Sequence, residues 1–72
     1  MQLSFYSFII RFVDKDADDP RSRLANAVHE DSTFPKHTED FEEITQHLEM
    51  DSRYSRLLSA FDDAWSDYQL NK

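Results

Sequence analysis

No cysteine and no glycine occur anywhere in these 72 residues, and there are only two prolines. Without cysteine there can be no disulfide and no thiolate ligand for zinc. A domain this small must then hold itself together by packing alone. Without glycine neither a phosphate-binding P-loop nor a dinucleotide fingerprint can exist, because both need backbone to approach phosphate closely. Helices must also end without the left-handed glycine cap, on Asn, Asp or other polar residues. Basic residues are scarce too: eight Lys and Arg stand against fifteen Asp and Glu, a formal net charge of −7. Those eight, Arg11, Lys15, Arg21, Arg23, Lys36, Arg53, Arg56 and Lys72, form no stripe. Such a chain repels phosphate backbones.

Aromatic residues are plentiful. One Trp, three Tyr and six Phe in a chain that is 39% hydrophobic argue for a folded domain, since acidic disordered segments are poor in aromatics. Each can bury on the order of 150–250 Å². The length allows one domain, residues 1–72, with one small core. Residues 3–13 are apolar, but the run is short, carries Arg11 and lacks a basic leader. Neither a signal peptide nor a membrane span is expected, and the expected location is the cytoplasm.

Four helices are predicted. Ser4 is a suitable N-cap, and Phe5, Phe8, Ile9, Phe12 and Val13 follow within an arc of roughly 140° at helical spacing. Tyr6 and Ile10 share another flank, read as buried in preference to facing a partner. Residues 14–19 form an acidic connector whose alternating carboxylates resemble the opening of a calcium loop. Asp19 and Ala25 stand where that loop needs its glycine and its bidentate Glu, so the better reading makes Asp19 an N-cap and Pro20 the first residue of a second helix. That helix runs to about His29 and offers Leu24, Ala27 and Val28, with Arg21 and Arg23 in solvent. A third starts at Asp40, with Glu43 completing a capping box and Thr38 as the alternative cap, and buries Phe41, Ile44 and Leu48. The fourth follows a joint at Met50–Arg53. In it Tyr54, Leu57, Leu58, Phe61, Ala64, Trp65 and Tyr68 fall within roughly 120°, and Trp65 is the candidate for the centre of the core. The expectation is an all-α, compact four-helix domain made of two roughly orthogonal helical hairpins.

Between the hairpins lies His29–Asp40. Phe34 there is either an exposed recognition tip beside Lys36 or, as the residues favour, a plug between the second and third helices, its backbone held extended by Pro35. His29, Asp31 and His37 would make an adequate zinc or nickel set if the turn folded tightly. The blander reading, with His29 at a helix end facing free carbonyls, is preferred.

Several stretches together are similar to one family. They are Phe5-Tyr6, then Glu30-Asp31 with Phe34-Pro35-Lys36, then Asp40-Phe41-Glu42-Glu43-Ile44 with Leu48-Glu49, and finally Phe61-Asp62-Asp63-Ala64-Trp65 with Tyr68. In order and spacing they resemble the YozE family, small proteins of Gram-positive bacteria of the Firmicutes type. The chain departs at Leu24, where the family often has Phe, and at Asp63, where it often has Glu. The resemblance implies a fold similar to the sterile alpha motif and implies no activity. Folds of that type include protein-association modules and some nucleic-acid binders.

His29, His37 and His47 stand in no catalytic or metal-binding spacing, so no enzyme, no cofactor and no metal is expected. The residues favour a protein-interaction module, with an unknown protein or a second copy as partner. A nucleic-acid-binding regulator is the alternative, and charge opposes it. The expected interaction rim is Glu30, Asp31, Lys36, His37 and Glu39, with an acidic third and fourth helix as further candidates.

Overall fold

The computed structural model describes residues 3–71. Ser4 is extended, and its Oγ accepts the Ser7 N–H at 3.2 Å, which starts α1, Phe5–Ile9. The helix then tightens into a 3-10 turn, Ile10–Phe12. A 3-10 turn advances about 120° per residue, so Phe12 falls in line with Ile9, three residues earlier, one turn beyond the end of α1. Phe5, Phe8 and Ile9 are buried, while Phe12, which lines an open groove with Pro20 and Ala60, is only half-buried, a correction to its place among the core residues. Tyr6 and Ile10 pack in part against the core.

The acidic connector spends its polar groups on local structure. The Asn26 side chain accepts the Asp14 N–H at 3.0 Å and donates to the Asp14 carbonyl at 3.1 Å, which ties the connector to the helix that follows. Asp19 accepts the Ser22 N–H at 3.1 Å and caps α2, Pro20–Glu30, with Pro20 in the first turn. These hydrogen bonds hold the Asp19 carboxyl below its ordinary value. Ser22, Leu24, Ala25 and Val28 are buried along α2. Arg21 is not simply solvated: its guanidinium lies 5.2 Å from the Phe12 ring and pairs with Asp67.

Asp40 caps α3, Phe41–Met50, by accepting the Glu42 N–H at 3.0 Å. The capping box does not close. The Thr38 hydroxyl accepts the Asp40 N–H at 3.0 Å and donates to Glu43 at 3.1 Å, occupying the place expected of the Glu43 side chain. Ile44 and Leu48 are buried, but Phe41 is 42% exposed. As the first helical residue it has no preceding turn to cover it.

The largest departure follows α3. The helix expected from Tyr54 onward is divided: Asp51 caps a separate 3-10 turn, Ser52–Tyr54, and α4 spans Leu58–Asn71. Division frees Tyr54 to turn inward, where it is fully buried. The buried residues of α4 are Ala60, Phe61, Ala64 and Tyr68, an arc of roughly 100° centred near Ala64. Trp65 and Leu58 then lie roughly 100° from that centre, on the flank. Two core assignments are corrected for this reason: Leu58 is 41% exposed, and Trp65 is half-buried.

Phe5, not Trp65, sits amid the aromatic cluster. Its ring meets Phe61 at 5.3 Å and Tyr68 at 5.6 Å edge-on, and Trp65 at 5.6 Å tilted. Such geometries suit the ring quadrupole. α2 makes close backbone approaches to α1 with its 3-10 extension, to α4 and to the second 3-10 turn. α3 completes the same core through Ile44 and Leu48. The product is an all-α, compact four-helix fold measuring 31 × 24 × 21 Å.

Candidate functional site

The central turn is built around a buried carboxylate. Asp31 ends α2, and its side chain is 3% exposed. One oxygen accepts the Thr33 N–H at 2.9 Å and the Thr33 hydroxyl at 2.6 Å. The other accepts the Tyr54 hydroxyl at 2.8 Å and meets His47 Nε2 at 2.7 Å. Burial alone would raise the Asp31 carboxyl, but the bonds from Thr33, His47 and Tyr54 outweigh it and hold the group well below the carboxylate range. An ionised carboxylate only accepts, so His47 Nε2 carries the hydrogen. Burial, and then the hydrogen bond to Asp31, push the Tyr54 phenol far above its ordinary value. Among the described residues no buried side-chain nitrogen or oxygen lacks a partner.

Three elements meet at this carboxylate: the end of α2, His47 of α3 and Tyr54 of the second 3-10 turn. Phe34 roofs it, 3% exposed, with its ring 5.4 Å from His47 and 6.0 Å from Tyr6. Asp31 is therefore corrected from rim to interior. The other rim residues do not converge on one spot. Glu30, Lys36 and His37 are exposed; the Lys36 ammonium lies 5.6 Å from the Tyr6 ring. Glu39 is half-buried and accepts from the Tyr68 hydroxyl at 3.4 Å. Burial, and then the Glu39 charge, raise the Tyr68 phenol. The partner Asp31 takes is His47, not His29 or His37, and no group of three or more His, Asp or Glu among the described residues could hold a metal ion.

An open groove of about 400 Å³ lies elsewhere, lined by Phe12, Asp19, Pro20, Arg21, Ala60 and Asp63. Two of its three charged groups are already engaged, since Asp19 caps α2 and Arg21 covers Phe12 and pairs with Asp67, while the third, Asp63, is exposed.

The face between α3 and α4 is different in kind. Phe41 stacks on Phe61 at 5.7 Å and tilts against Trp65 at 5.1 Å, leaving its outer side in solvent. Leu58 and Trp65, seven residues apart, share one line along α4, about 10 Å from end to end. Asp62 lies between them in height, while Asp40 and Glu42 flank Phe41, and all three acids are exposed. α3 and α4 carry six acids, Glu42, Glu43, Glu49, Asp62, Asp63 and Asp67, and no Lys or Arg. Sequence reasoning placed Phe41, Leu58 and Trp65 inside. The available signal was Asp62, an acid spaced four residues from Leu58 and three from Trp65, within reach of both on a helix surface.

No helix among the described residues is long and apolar enough to cross a membrane. No solved structure matches the chain. A UPF0346 protein of Streptococcus thermophilus is 43% identical over 68 residues, covering 94% of this chain and 96% of the relative. A UPF0346 protein of Streptococcus pyogenes serotype M5 shows the same identity and coverage. One of Streptococcus equi subsp. zooepidemicus is 41% identical with equal coverage. These names carry a family designation and no activity. The YozE SAM-like fold model matches residues 4–70, and the chain belongs to that family.

Proposed function

We propose that this protein is a non-catalytic protein-interaction module of the cytoplasm, working through the α3–α4 face. The observation that carries the reading is the partly exposed trio Phe41, Leu58 and Trp65 set among Asp40, Glu42 and Asp62. Contiguous apolar surface rimmed by polar groups is characteristic of association sites. Isolated exposed residues such as Met50 and Leu70 need no such explanation. A non-catalytic role is supported by the Asp31 cluster. The hydroxyls of Thr33 and Tyr54 both donate to the carboxylate and not to His47, so neither is poised as a nucleophile beside the imidazole.

Site-specific photo-crosslinking tests the reading. A photoreactive residue at Gln69, one turn beyond Trp65, is expected to give a discrete protein adduct in a native lysate, and one at Lys15 in the acidic connector is expected to give none. Equal labelling at both positions, or none at either, overturns the reading. Electrophoresis with random duplex and single-stranded DNA at ~50 mM salt, where electrostatic binding is strongest, is expected to show no shift. A salt-sensitive shift would turn the reading to nucleic acid.

A further inference from the structure

The α3–α4 face combines two properties that narrow its occupant. The charged residues of its two helices are acidic: neither helix bears a Lys or Arg. Asp40 and Glu42 adjoin Phe41 in the chain, and Asp62 lies between Leu58 and Trp65 along α4, with exposed Arg56 in the joint before Leu58 as the nearest base in sequence. Its apolar residues are spaced as a helix spaces them, since Leu58 and Trp65 lie two turns apart along one line of α4 with Phe41 packed beside Trp65. We infer that the face takes a cationic amphipathic helix from another protein, its apolar stripe laid on Phe41, Leu58 and Trp65 and its Lys or Arg residues set against Asp40, Glu42 and Asp62.

This rests on the interaction-module reading and deepens it. A second copy docked through the same face would set acid against acid, and like charges brought together across an interface oppose association. A nucleic acid meets the same repulsion from its phosphates. An extended peptide wants a sheet edge to extend, and the described elements are all helical. A helix lying along α4 instead packs by ridges and grooves and presents apolar residues at i, i+3 or i+4, and i+7 to match Leu58 and Trp65. The flanking acids would orient it and speed encounter, while the aromatic contacts would hold it.

Trp65 is the only tryptophan in the chain, so its emission reports on the face directly. The intact protein is titrated with a synthetic amphipathic helix of leucine and lysine, and with a second peptide in which glutamate replaces every lysine. The lysine peptide is expected to move Trp65 emission to shorter wavelength, saturably, and the glutamate peptide to leave it unchanged. Glu42→Gln with Asp62→Asn is expected to weaken lysine-peptide binding about 10-fold, whereas Asp14→Asn with Asp16→Asn, removing equal charge elsewhere, changes it less than about 2-fold. Phe41→Ser with Leu58→Ser is expected to cost at least about 10-fold while Trp65 still reports. Circular dichroism on each variant checks that the helices persist. Equal losses from the two charge-removal pairs, or equal binding of both peptides, overturns the inference. So does a mass that grows with concentration in sedimentation and returns to monomer in Phe41→Ser, which would make the occupant a second copy. A discrete adduct from Gln69 with no response to either peptide defeats the cationic helix while leaving the interaction module standing.

Discussion

α3 serves two regions of opposite character. His47, late in the helix, enters the buried cluster around Asp31, whereas Phe41, at its start, lies on the open face with Leu58 and Trp65. In the first region the titratable groups are inward, and four donors close around one carboxylate. In the second the aromatic and aliphatic groups remain partly in solvent although the chain is short of core. Under the proposed function, the usual association of polar with functional and apolar with structural is inverted. The cluster's polar chemistry is consumed in joining α2, α3 and the second 3-10 turn, and the apolar face is what remains at the surface.

If the Asp31 cluster holds the fold, removing its acceptor must be costly. Asp31→Ala leaves Tyr54 and His47 facing an apolar gap, and a loss of about 3–5 kcal/mol in chemical denaturation is expected. A loss below about 1 kcal/mol would break the contrast between the two regions. Tyr54→Phe removes one hydrogen bond to a charged group and is expected to cost about 1.5–3 kcal/mol.

Acid sharpens the contrast further. The folded Asp31 carboxyl lies below its ordinary value of 3.8, so as pH falls the unfolded chain takes up this proton before the folded one does. The stability that the ionised group contributes is complete above about pH 5, declines through the unfolded pKa near 4 and is lost once pH falls below the folded pKa. Denaturation of the native chain and of Asp31→Asn at pH 7 and pH 3 is expected to show their stability gap narrowed by about 1 kcal/mol at the lower pH. A constant gap would mean that the carboxylate is not held as described. The smallest effect belongs to the open face: Leu58→Ser is expected to change stability by less than about 1 kcal/mol, readable as a small shift in Tm. A large loss there would place Leu58 in the core after all.

Local signals were legible where they depend on a few neighbouring residues. Ser4, Asp19 with Pro20, and Asp40 start their helices as their side chains and positions require. The Asp40–Glu43 box was not legible, because Thr38, two residues before the cap, competes for the same N–H. The α4 register misled for a different reason. Tyr54 continues the apolar spacing of Leu58, Phe61 and Trp65, yet its hydroxyl is drawn to Asp31, 23 residues earlier, and the chain breaks helix to deliver it. His47 reads as incidental in a helix of acids and becomes central once Asp31 is folded beside it.

By itself the sequence determined the all-α class, the starts of three helices, the YozE resemblance and the improbability of phosphate-binding chemistry. Those properties follow from short-range backbone capping, from periodicity and from net charge, none of which needs a neighbour in space. Only the tertiary structure decided which apolar residues were surplus to the core and which carboxylate was locked inside it. Both outcomes depend on where α2 and α4 approach. α4 approaches α2 and buries the side that carries Ala60, Phe61, Ala64 and Tyr68, so Trp65 and Leu58, on the flank of that side, are turned toward solvent.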